Sequence, residues 1–332
     1  MASLLSVENL QVQFQTKKGI NTAVDGVSFS VEKGRILGIV GESGCGKSVT
    51  SMSILQLLGS NARISGGSIK LDGKELIGLP EKEMCRIRGN DIAMIFQDPM
   101  TALNPTLTIG TQLMEPIMLH QNCGKKEAWT RAVDVLKRVG IAAPEKRMKE
   151  YPHQLSGGMR QRVMIAMAVS CEPRLLIADE PTTALDVTIQ AQILELMQEL
   201  RKKLGMSIIM ITHDLGVVAS MCEKIAVMYA GHIVEYGTTD EIFYQPGHEY
   251  TKGLINSIPK LNTEVRERLV PIEGTPVDLL NPPAGCPFAP RCKNCMKICL
   301  SKMPPRTELS DTHYTYCWLQ QKAAFEKGEK AE

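Results

Sequence analysis

The 332-residue sequence lacks long apolar runs and lacks an excess of charge of one sign. Its longest apolar segments, such as Ile36–Val40 and Ser207–Ile211, have the length of a strand, whereas a membrane helix needs about 18 to 20 consecutive apolar residues. We therefore expect no bilayer-spanning segment. The 38 Lys and Arg residues nearly balance the 36 Asp and Glu residues, so no global positive field indicates binding to nucleic acid.

The beginning of the sequence also lacks the features of a secretory signal. Met1–Leu10 contains Glu8, no basic segment and no long apolar segment, so we expect a cytosolic chain. In a large cytosolic protein, ten cysteines indicate reduced thiols or a metal site rather than disulfides. With 43% apolar residues, the chain can bury a substantial core, which excludes a disordered protein and a disulfide-held mini-protein.

Short segments rich in Val and Ile alternate with amphipathic segments, which predicts an α/β fold. The predicted strands are Leu5–Phe14, Ile36–Val40, Ile92–Phe96, Leu175–Ala178, Ser207–Thr212 and Ile225–Tyr229. The predicted helices are Lys47–Leu58, Lys125–Val139, Gly158–Ser170 and Ile189–Lys203. Asp72 and Gly73 predict a tight hairpin turn.

The composition changes after Ile258, where Pro, Asn and Cys become frequent. Prolines interrupt any long helix or strand in this part of the chain. We therefore predict two domains, residues 1–258 and residues 259–332, of which the second is Cys-rich and loop-rich. The charged residues 322–332 are predicted to form a frayed, solvated helix.

Residues 41–48, Gly-Glu-Ser-Gly-Cys-Gly-Lys-Ser, fit the phosphate-loop pattern between a predicted strand and a predicted helix. In such a loop, backbone N–H groups converge on phosphates, Lys47 reaches the β and γ phosphates, and the Ser48 hydroxyl binds Mg²⁺. The sequence therefore predicts a nucleoside triphosphate site. Its predicted phosphate-binding residues are Gly41, Ser43, Gly44, Cys45, Gly46, Lys47, Ser48 and Val49.

A second predicted strand, Leu175–Ala178, is followed directly by two carboxylates, Asp179 and Glu180. Asp179 is placed to hold Mg²⁺ through its water shell, and Glu180 is placed to polarise the water that attacks the γ phosphate. Carboxylates that merely cap the next helix are the alternative interpretation. Because the pair accompanies a phosphate loop, the catalytic interpretation is favoured.

Ser156, Gly157 and Gly158 begin a predicted helix and would form a second anion-binding end. Since the chain already has one phosphate cradle, a second such end is useful if it serves the nucleotide of another subunit. The segment Leu155–Gln161 is similar to the signature of ATP-binding-cassette (ABC) ATPases, in which two cassettes sandwich two ATP molecules head to tail.

The resemblance extends over residues 4 to about 258, and the other motifs of the family occur in order. It implies that Phe14 stacks on adenine, that Gln97 contacts Mg²⁺ and water, and that His213 contacts the γ phosphate. It also implies that the loop Thr183–Asp186, with Asp186 among the nucleotide-site residues, crosses the dimer interface. The implied catalytic residues are Glu180, His213, Gln97 and Lys47, and the implied Mg²⁺ residues are Ser48, Gln97 and Asp179.

The same resemblance implies the fold of an ABC nucleotide-binding domain. Its parts are a RecA-like phosphate-loop core, an antiparallel β subdomain and a helical signature subdomain at about residues 98–170. A monomer is then a poor ATPase, since ATP binding closes a dimer of cassettes and hydrolysis reopens it.

The amino-acid sequences of three motifs, at residues 94–105, 151–156 and 179–188, closely resemble the corresponding motifs of the ATP-binding subunits of bacterial dipeptide and oligopeptide importers. Relatives of that group carry nickel, glutathione or cationic peptides. The resemblance implies two membrane permeases, an extracytoplasmic substrate-binding protein and a second ATPase subunit, usually a different, F-type chain. It places the protein peripherally at the cytoplasmic face of the inner membrane.

Two other functions are alternatives to a role in import. A soluble cassette ATPase acting on nucleic acid or a ribosome is disfavoured, because the sequence has a single cassette and no long heptad region between its phosphate loop and its signature. An inactive regulatory subunit is disfavoured, because Lys47, Asp179, Glu180 and His213 are all present.

Five of the ten cysteines lie between Cys286 and Cys317. Four thiolates can hold a metal on a loop-rich segment. The resemblance to peptide-importer ATPases implies a 4Fe-4S cluster on Cys286, Cys292, Cys299 and Cys317, with Cys295 as a substitute for Cys292 or Cys299. Spacing alone does not separate this cluster from zinc, and unliganded thiols also stay open.

Overall fold

The computed structural model describes residues 3–98, 102–183, 185–258 and 271–321. The chain divides into two compact units, each built from several stretches of the sequence. Unit 1 comprises residues 1–4, 31–36 and 71–211. Unit 2 comprises residues 5–30, 37–70 and 212–332.

The strands are β1 Ser3–Thr16, β2 Gly19–Glu32, β3 Ile36–Val40, β4 Ala62–Leu71, β5 Lys74–Glu75, β6 Ile92–Ile95, β7 Leu175–Asp179, β8 Ser207–Thr212, β9 Lys224–Tyr229, β10 His232–Thr238, β11 Thr307–Glu308 and β12 Tyr314–Thr315. The six predicted strands are present as β1, β3, β6, β7, β8 and β9, whereas β2, β10, β11 and β12 are not among the predicted strands. The predicted hairpin turn is confirmed, since Asp72 and Gly73 both have positive φ between β4 and β5.

The predicted helices are also present, with ends shifted by a few residues. The helices are α1 Lys47–Ile54, α2 Glu81–Ile87, α3 Ile109–Gln121, α4 Lys125–Arg138, α5 Pro144–Arg147, α6 Gly157–Val169, α7 Val187–Leu204, α8 Leu215–Met221, α9 Thr239–Tyr244, α10 Glu249–Asn256 and α11 Lys297–Ser301. The predicted first helix ends early, at Ile54 rather than Leu58. Within the described residues, every helix falls short of the length and apolar character that crossing a bilayer requires.

Unit 1 contains the parallel strands β6, β7 and β8, with β7 paired to both neighbours. Every residue of β7 and β8 is buried, which is why these strands read as apolar runs without polar alternation. Helices α3, α4 and α6 pack on one another, and α6 also packs on β6. α7 ends at Gly205, whose φ of 65° closes the helix in the left-handed conformation that glycine adopts most readily.

Unit 2 contains β3, which pairs in parallel with β9, and an antiparallel series that continues from β9 through β10 and β12 to β11. In a separate sheet, β1 lies between β2 and β4. β12 aligns Tyr314 and Thr315 with Tyr236 and Glu235 of β10, so the C-terminal residues extend a sheet that begins in the first half of the chain.

The predicted domain boundary at residue 258 adjoins residues 259–270, which lie outside the described residues, and it stays a prediction. The helix predicted over residues 322–332 also lies outside the described residues.

Candidate functional site

The phosphate loop at residues 41–48 lies in unit 2. At two of its positions, the backbone dihedral angles and the close neighbouring atoms allow only glycine. Gly41 has a φ of 153° and Gly46 a φ of 102°. A Cβ atom at Gly41 would lie 2.2 Å from the carbonyl oxygen of Met228, and one at Gly46 would lie 2.6 Å from that of Ala23. Of the four residues between them, Ser43 and Gly44 are exposed, so this path turns the middle of the loop toward solvent, as a phosphate cradle requires.

Lys47 ties the two ends of this loop together. Its side chain is buried, and its Nζ donates to the carbonyl oxygens of Gly41 at 2.7 Å and Glu42 at 2.9 Å. Lys47 begins α1, where free N–H groups and the helix dipole favour an anion. The ammonium group and the helix start therefore place positive charge where the sequence predicts the phosphates, with Ser48 and Val49 half-buried in the first turn.

Cys45 lies inside the same loop with a buried side chain. Burial raises the pKa of its thiol, although the nearby Lys47 acts in the opposite direction. Its carbonyl oxygen accepts a hydrogen bond from the Gly231 amide at 3.0 Å. The thiol is thus protonated at neutral pH, and the contribution of Cys45 to the loop comes from its backbone.

His213 and Phe14 are the other predicted site residues of unit 2. His213 follows β8 and lines a cleft of about 320 Å³ with Gly41 and Glu42 of the phosphate loop. Phe14 lies in β1 and is half-buried. The structure therefore groups His213 with the phosphate loop, and the adenine contact of Phe14 stays a prediction.

Unit 1 holds Glu180 in a fixed orientation at the end of β7. One carboxylate oxygen, Oε2, accepts hydrogen bonds from Gln97 Nε2 and Thr183 Oγ1, both at 2.9 Å. The backbone N–H of Glu180 donates to the carbonyl oxygen of Ile211 at 2.8 Å, and its φ is 46°. A left-handed conformation is costly for a residue with a Cβ, and such residues are enriched at functional sites. Asp179, directly before it, is buried.

The predicted second anion-binding end is also in unit 1. Ser156 caps α6, its Oγ accepting from the N–H of Met159 at 3.3 Å, and Ser156 and Gly157 are exposed. A Cβ atom at Gly158 would lie 3.2 Å from Cγ2 of Ile189, so glycine allows α6 and α7 to approach closely. The start of α6 thus presents N–H groups to solvent.

The loop after Glu180 contains the remaining predicted residue, Asp186. Its Oδ1 accepts from the N–H of Ile189 at 2.9 Å and so caps α7. Ala184 of the same predicted loop lies outside the described residues. Gln161, which the signature segment includes without a predicted role of its own, is buried on α6, and its amide donates to the carbonyl oxygen of Pro181, one residue beyond Glu180.

The prediction of an iron–sulfur cluster is wrong. Among the described residues, which include all five C-terminal cysteines, no group of three or more His, Cys, Asp or Glu side chains could hold a metal ion. Zinc is unsupported by the same finding. Burial raises the pKa of the Cys286 thiol to about 12 and that of Cys292 to about 11, so both thiols are protonated in the metal-free chain. The buried thiols pack as small apolar groups.

The chain matches two family profiles. The ABC transporter profile matches residues 24–183, and the profile described as the oligopeptide/dipeptide transporter C-terminal region matches residues 234–299. The first match contains the phosphate loop, Gln97, the signature helix and Glu180. The second contains most of β10, the whole of α10 and four of the five C-terminal cysteines.

Individual proteins are similar over nearly the whole chain. The dipeptide transport ATP-binding protein DppD of Bacillus subtilis is 57% identical over 325 residues, which cover 98% of this chain and 97% of that protein. The oligopeptide transport ATP-binding protein OppD of the same organism is 55% identical, covering 95% of this chain and 88% of that protein.

A solved structure with the same fold is the post-hydrolysis state of the ATP-binding cassette MJ0796 bound to ADP and Pi. The TM-score is 0.64 at 27% identity, and the alignment covers 71% of this chain and 98% of that one. The fold is therefore that of an ABC nucleotide-binding domain, with mixed parallel and antiparallel sheets. The chain belongs to the ATP-binding-cassette family, in the group of ATP-binding proteins of dipeptide and oligopeptide transporters.

Proposed function

We propose that this chain is the ATPase subunit of an ABC importer that takes up dipeptides or oligopeptides. The observation that carries the proposal is the similarity, over almost their whole lengths, to proteins named for dipeptide and oligopeptide transport. The C-terminal match favours peptides over nickel or glutathione as the solute, since that profile is described by oligopeptide and dipeptide transport.

In this proposal the phosphate loop binds the triphosphate of ATP. The glycine path of residues 41–46 and the buried Lys47 ammonium fit a polyanion, because backbone N–H groups and a fixed cation replace its lost hydration. The Ser48 hydroxyl, the Asp179 carboxylate and the Gln97 amide are oxygen donors of the kind that Mg²⁺ prefers, and these residues would hold it. When bound, Mg²⁺ neutralises charge on the phosphates.

Glu180 is the general base of the proposed reaction. The hydrogen bonds from Gln97 and Thr183 orient its carboxylate, so that it can accept a proton from the attacking water without changing its rotamer. His213, at the end of β8, contacts the γ phosphate. The exposed start of α6 at Ser156 serves the nucleotide of a second cassette, so that each reactive site is composite.

The proposed assembly contains this chain, a second ATPase subunit of a different, F-type chain, two membrane permeases and an extracytoplasmic substrate-binding protein. The chain would lie peripherally on the cytoplasmic face of the membrane. Dimer closure on ATP and reopening after hydrolysis would drive the permeases.

We also propose the finer domain layout within the established fold. Residues 1–258 would form the cassette, and residues 259–332 a C-terminal region. The packing of α3, α4 and α6 on one another supports a helical subdomain at about residues 98–170. The pairing of β1 with β2 and β4 supports a separate β subdomain.

The substitution Glu180→Gln tests the catalytic part of the proposal in the complete transporter. It keeps the side-chain size and removes the base, so ATP hydrolysis should fall at least about 100-fold while ATP binding is retained. Steady-state phosphate release and calorimetric titration with MgATP measure the two quantities. Uptake of a radiolabelled dipeptide into cells should fall in parallel with hydrolysis.

The matched control is Glu199→Gln on the exposed side of α7, where the carboxylate pairs with Lys203 at 3.1 Å. It should leave hydrolysis and uptake unchanged. Rapid turnover by Glu180→Gln would exclude Glu180 as the base. A wild-type transporter that hydrolyses ATP but takes up no peptide would contradict the peptide assignment alone.

A further inference from the structure

Arg291 connects the C-terminal part of unit 2 to the phosphate loop. Its side chain is only 4% exposed, and its guanidinium group donates to both carboxylate oxygens of Glu42, from Nη1 at 2.6 Å and from Nη2 at 3.0 Å. This bidentate geometry is the strongest form of an Arg–carboxylate contact. The two residues are 249 positions apart in the sequence, so the contact exists only in the folded chain.

The remaining groups of Arg291 are also engaged. Nε donates to the carbonyl oxygen of Glu273 at 3.0 Å, and Nη2 donates to that of Ile272 at 3.2 Å. The guanidinium group lies 5.8 Å from the ring centroid of Tyr229 and 6.0 Å from that of Phe288. Arg291 is therefore held by carbonyls and rings on several sides, in addition to its contact with Glu42.

Glu42, the second residue of the phosphate loop, is fixed at three separate groups. Its backbone N–H donates to the hydroxyl of Tyr250 at 2.8 Å, and its carbonyl oxygen accepts from Lys47 at 2.9 Å. Its carboxylate is held by Arg291. Tyr250 is fully buried on α10, and its ring packs against those of Tyr229 and Phe288. Two of these three groups, the backbone N–H and the carboxylate, are thus held by residues after position 248.

The charge of Glu42 also requires a partner. A carboxylate next to a triphosphate repels it, and the repulsion is large where water is partly excluded. Arg291 neutralises this carboxylate and at the same time prevents the Glu42 side chain from turning toward the open side of the loop. The hydrogen-bonded pair raises the pKa of Arg291 above its ordinary value, so the guanidinium stays charged at every accessible pH.

We propose that Arg291 is a positioning residue for ATP binding, which acts through Glu42 by fixing the phosphate loop and neutralising its carboxylate. The proposal assigns a role in the nucleotide site to the C-terminal region, outside the motifs of the cassette. It rests on the proposed function, because it assumes that residues 41–48 bind ATP.

The test is the substitution Arg291→Met, which keeps much of the apolar stem and removes the fork. In the Glu180→Gln background, calorimetric titration with MgATP should give a Kd about tenfold higher than that of the parent chain. In the hydrolysing transporter, the KM for ATP should rise about tenfold while kcat at saturating ATP changes less than about twofold. A purely structural role would lower the amount of folded protein without this split between KM and kcat.

The control is Lys293→Met, two residues away and exposed, where the ammonium contacts Glu273 at 3.4 Å. It should leave Kd, KM and kcat unchanged. The chain with both Arg291→Met and Glu42→Gln should bind ATP no more weakly than the chain with Arg291→Met alone. The two substitutions remove the same contact, so their effects should not add.

Two results would overturn the inference. One is an Arg291→Met chain that binds ATP as tightly as Lys293→Met, and the other is a loss confined to kcat. If Arg291→Met does not fold, as judged by circular dichroism without nucleotide, Arg291→Gln, which keeps an N–H donor and removes the positive charge, decides the question by a rise in Kd. A wild-type transporter without ATPase activity would instead contradict the proposed function itself.

Discussion

Glu180 shows how one residue combines strain with orientation. Its left-handed backbone lies between the buried strand β7 and the following turn, and its carboxylate receives two hydrogen bonds on one oxygen. A conformation that costs about 1 kcal/mol or more persists only where the surrounding contacts define it. Here the contacts are the Gln97 amide, the Thr183 hydroxyl and the carbonyl oxygen of Ile211.

Gly41 is predicted to be intolerant of any side chain. In Gly41→Ala, the new Cβ would lie 2.2 Å from the carbonyl oxygen of Met228, a backbone atom that cannot turn away. We expect the free energy of unfolding to fall by about 2 to 4 kcal/mol, because both strain and displacement of a buried strand contribute. Urea unfolding monitored by circular dichroism measures this change.

Gly44→Ala is the matched comparison within the same loop. Gly44 also has positive φ, at 79°, but a Cβ atom there meets nothing within 4 Å. Its cost should be confined to backbone strain of about 1 kcal/mol. Equal losses for the two variants would show that the contact with Met228 is not what selects glycine at position 41.

At the scale of elements, several helices begin on a side chain that accepts a backbone hydrogen bond. These caps are Thr108, Ser156, Asp186, Asp214, Thr238 and His248. Such caps satisfy N–H groups that have no partner inside the helix. At Ser156 the start of the helix is also exposed, so its N–H groups can bind an anion. The proposed composite site uses this property.

The substitution Ser156→Asp is expected to separate these two roles of the α6 start. Asp caps a helix as well as Ser does, so the free energy of unfolding should stay within about 0.5 kcal/mol of the wild-type value. Its negative charge would repel the phosphates of the partner's nucleotide, so ATP hydrolysis by the assembled transporter should fall at least about tenfold.

Ser156→Ala gives the converse control, since it removes the cap without adding charge. It should cost about 1 kcal/mol of stability. The interpretation of α6 as an anion-binding end is untenable if Ser156→Asp hydrolyses ATP at the wild-type rate.

At the scale of the whole molecule, the buried His248 makes stability depend on pH. Burial lowers the pKa of its imidazole to about 4, although the nearby Glu235 acts in the opposite direction, and Nδ1 accepts from the N–H of Tyr250 at 3.1 Å. The folded chain therefore keeps His248 neutral, whereas the unfolded chain takes up a proton below about pH 6.5. Stability should consequently fall as the pH decreases from 6.5 toward 4.

We expect this residue to account for a loss of about 2 kcal/mol in the free energy of unfolding between pH 7 and pH 5. His248→Asn keeps a capping acceptor and cannot titrate, so its loss over the same interval should be smaller by that amount. Burial also lowers the pKa of His232, which adds a similar dependence to both chains. Hydrogen bonds from Ser310, Thr238 and Thr312 outweigh partial burial and lower the pKa of Glu241 to about 2, so Glu241 contributes only below about pH 4.5.

Urea titrations of both chains at pH 7 and pH 5 give this difference directly. Identical pH dependence in the two chains would mean that folding does not lower the pKa of His248. That result would contradict its burial as a neutral helix cap.

Local patterns in the sequence determined six of the strands, four of the helices and the motif residues, whereas β2 and α3 were not predicted. β3, β7 and β8 are apolar runs because they are buried on both faces, and the glycines of residues 41–46 lie where the backbone has room for nothing larger. The cysteine spacing, in contrast, predicted a metal centre that the described residues do not form. Spacing does not report the orientation or protonation of thiols, which depend on burial.

Only the tertiary structure decided which distant residues meet. No periodicity or motif connects Arg291 with Glu42, or Gln161 with Pro181, because each pair is brought together by the packing of separate elements. The sequence by itself determined the nucleotide-binding motifs, since each depends on a few adjacent residues and their backbone conformation. The folded chain determined how those motifs are held, since contacts over hundreds of positions follow from the burial of the whole core.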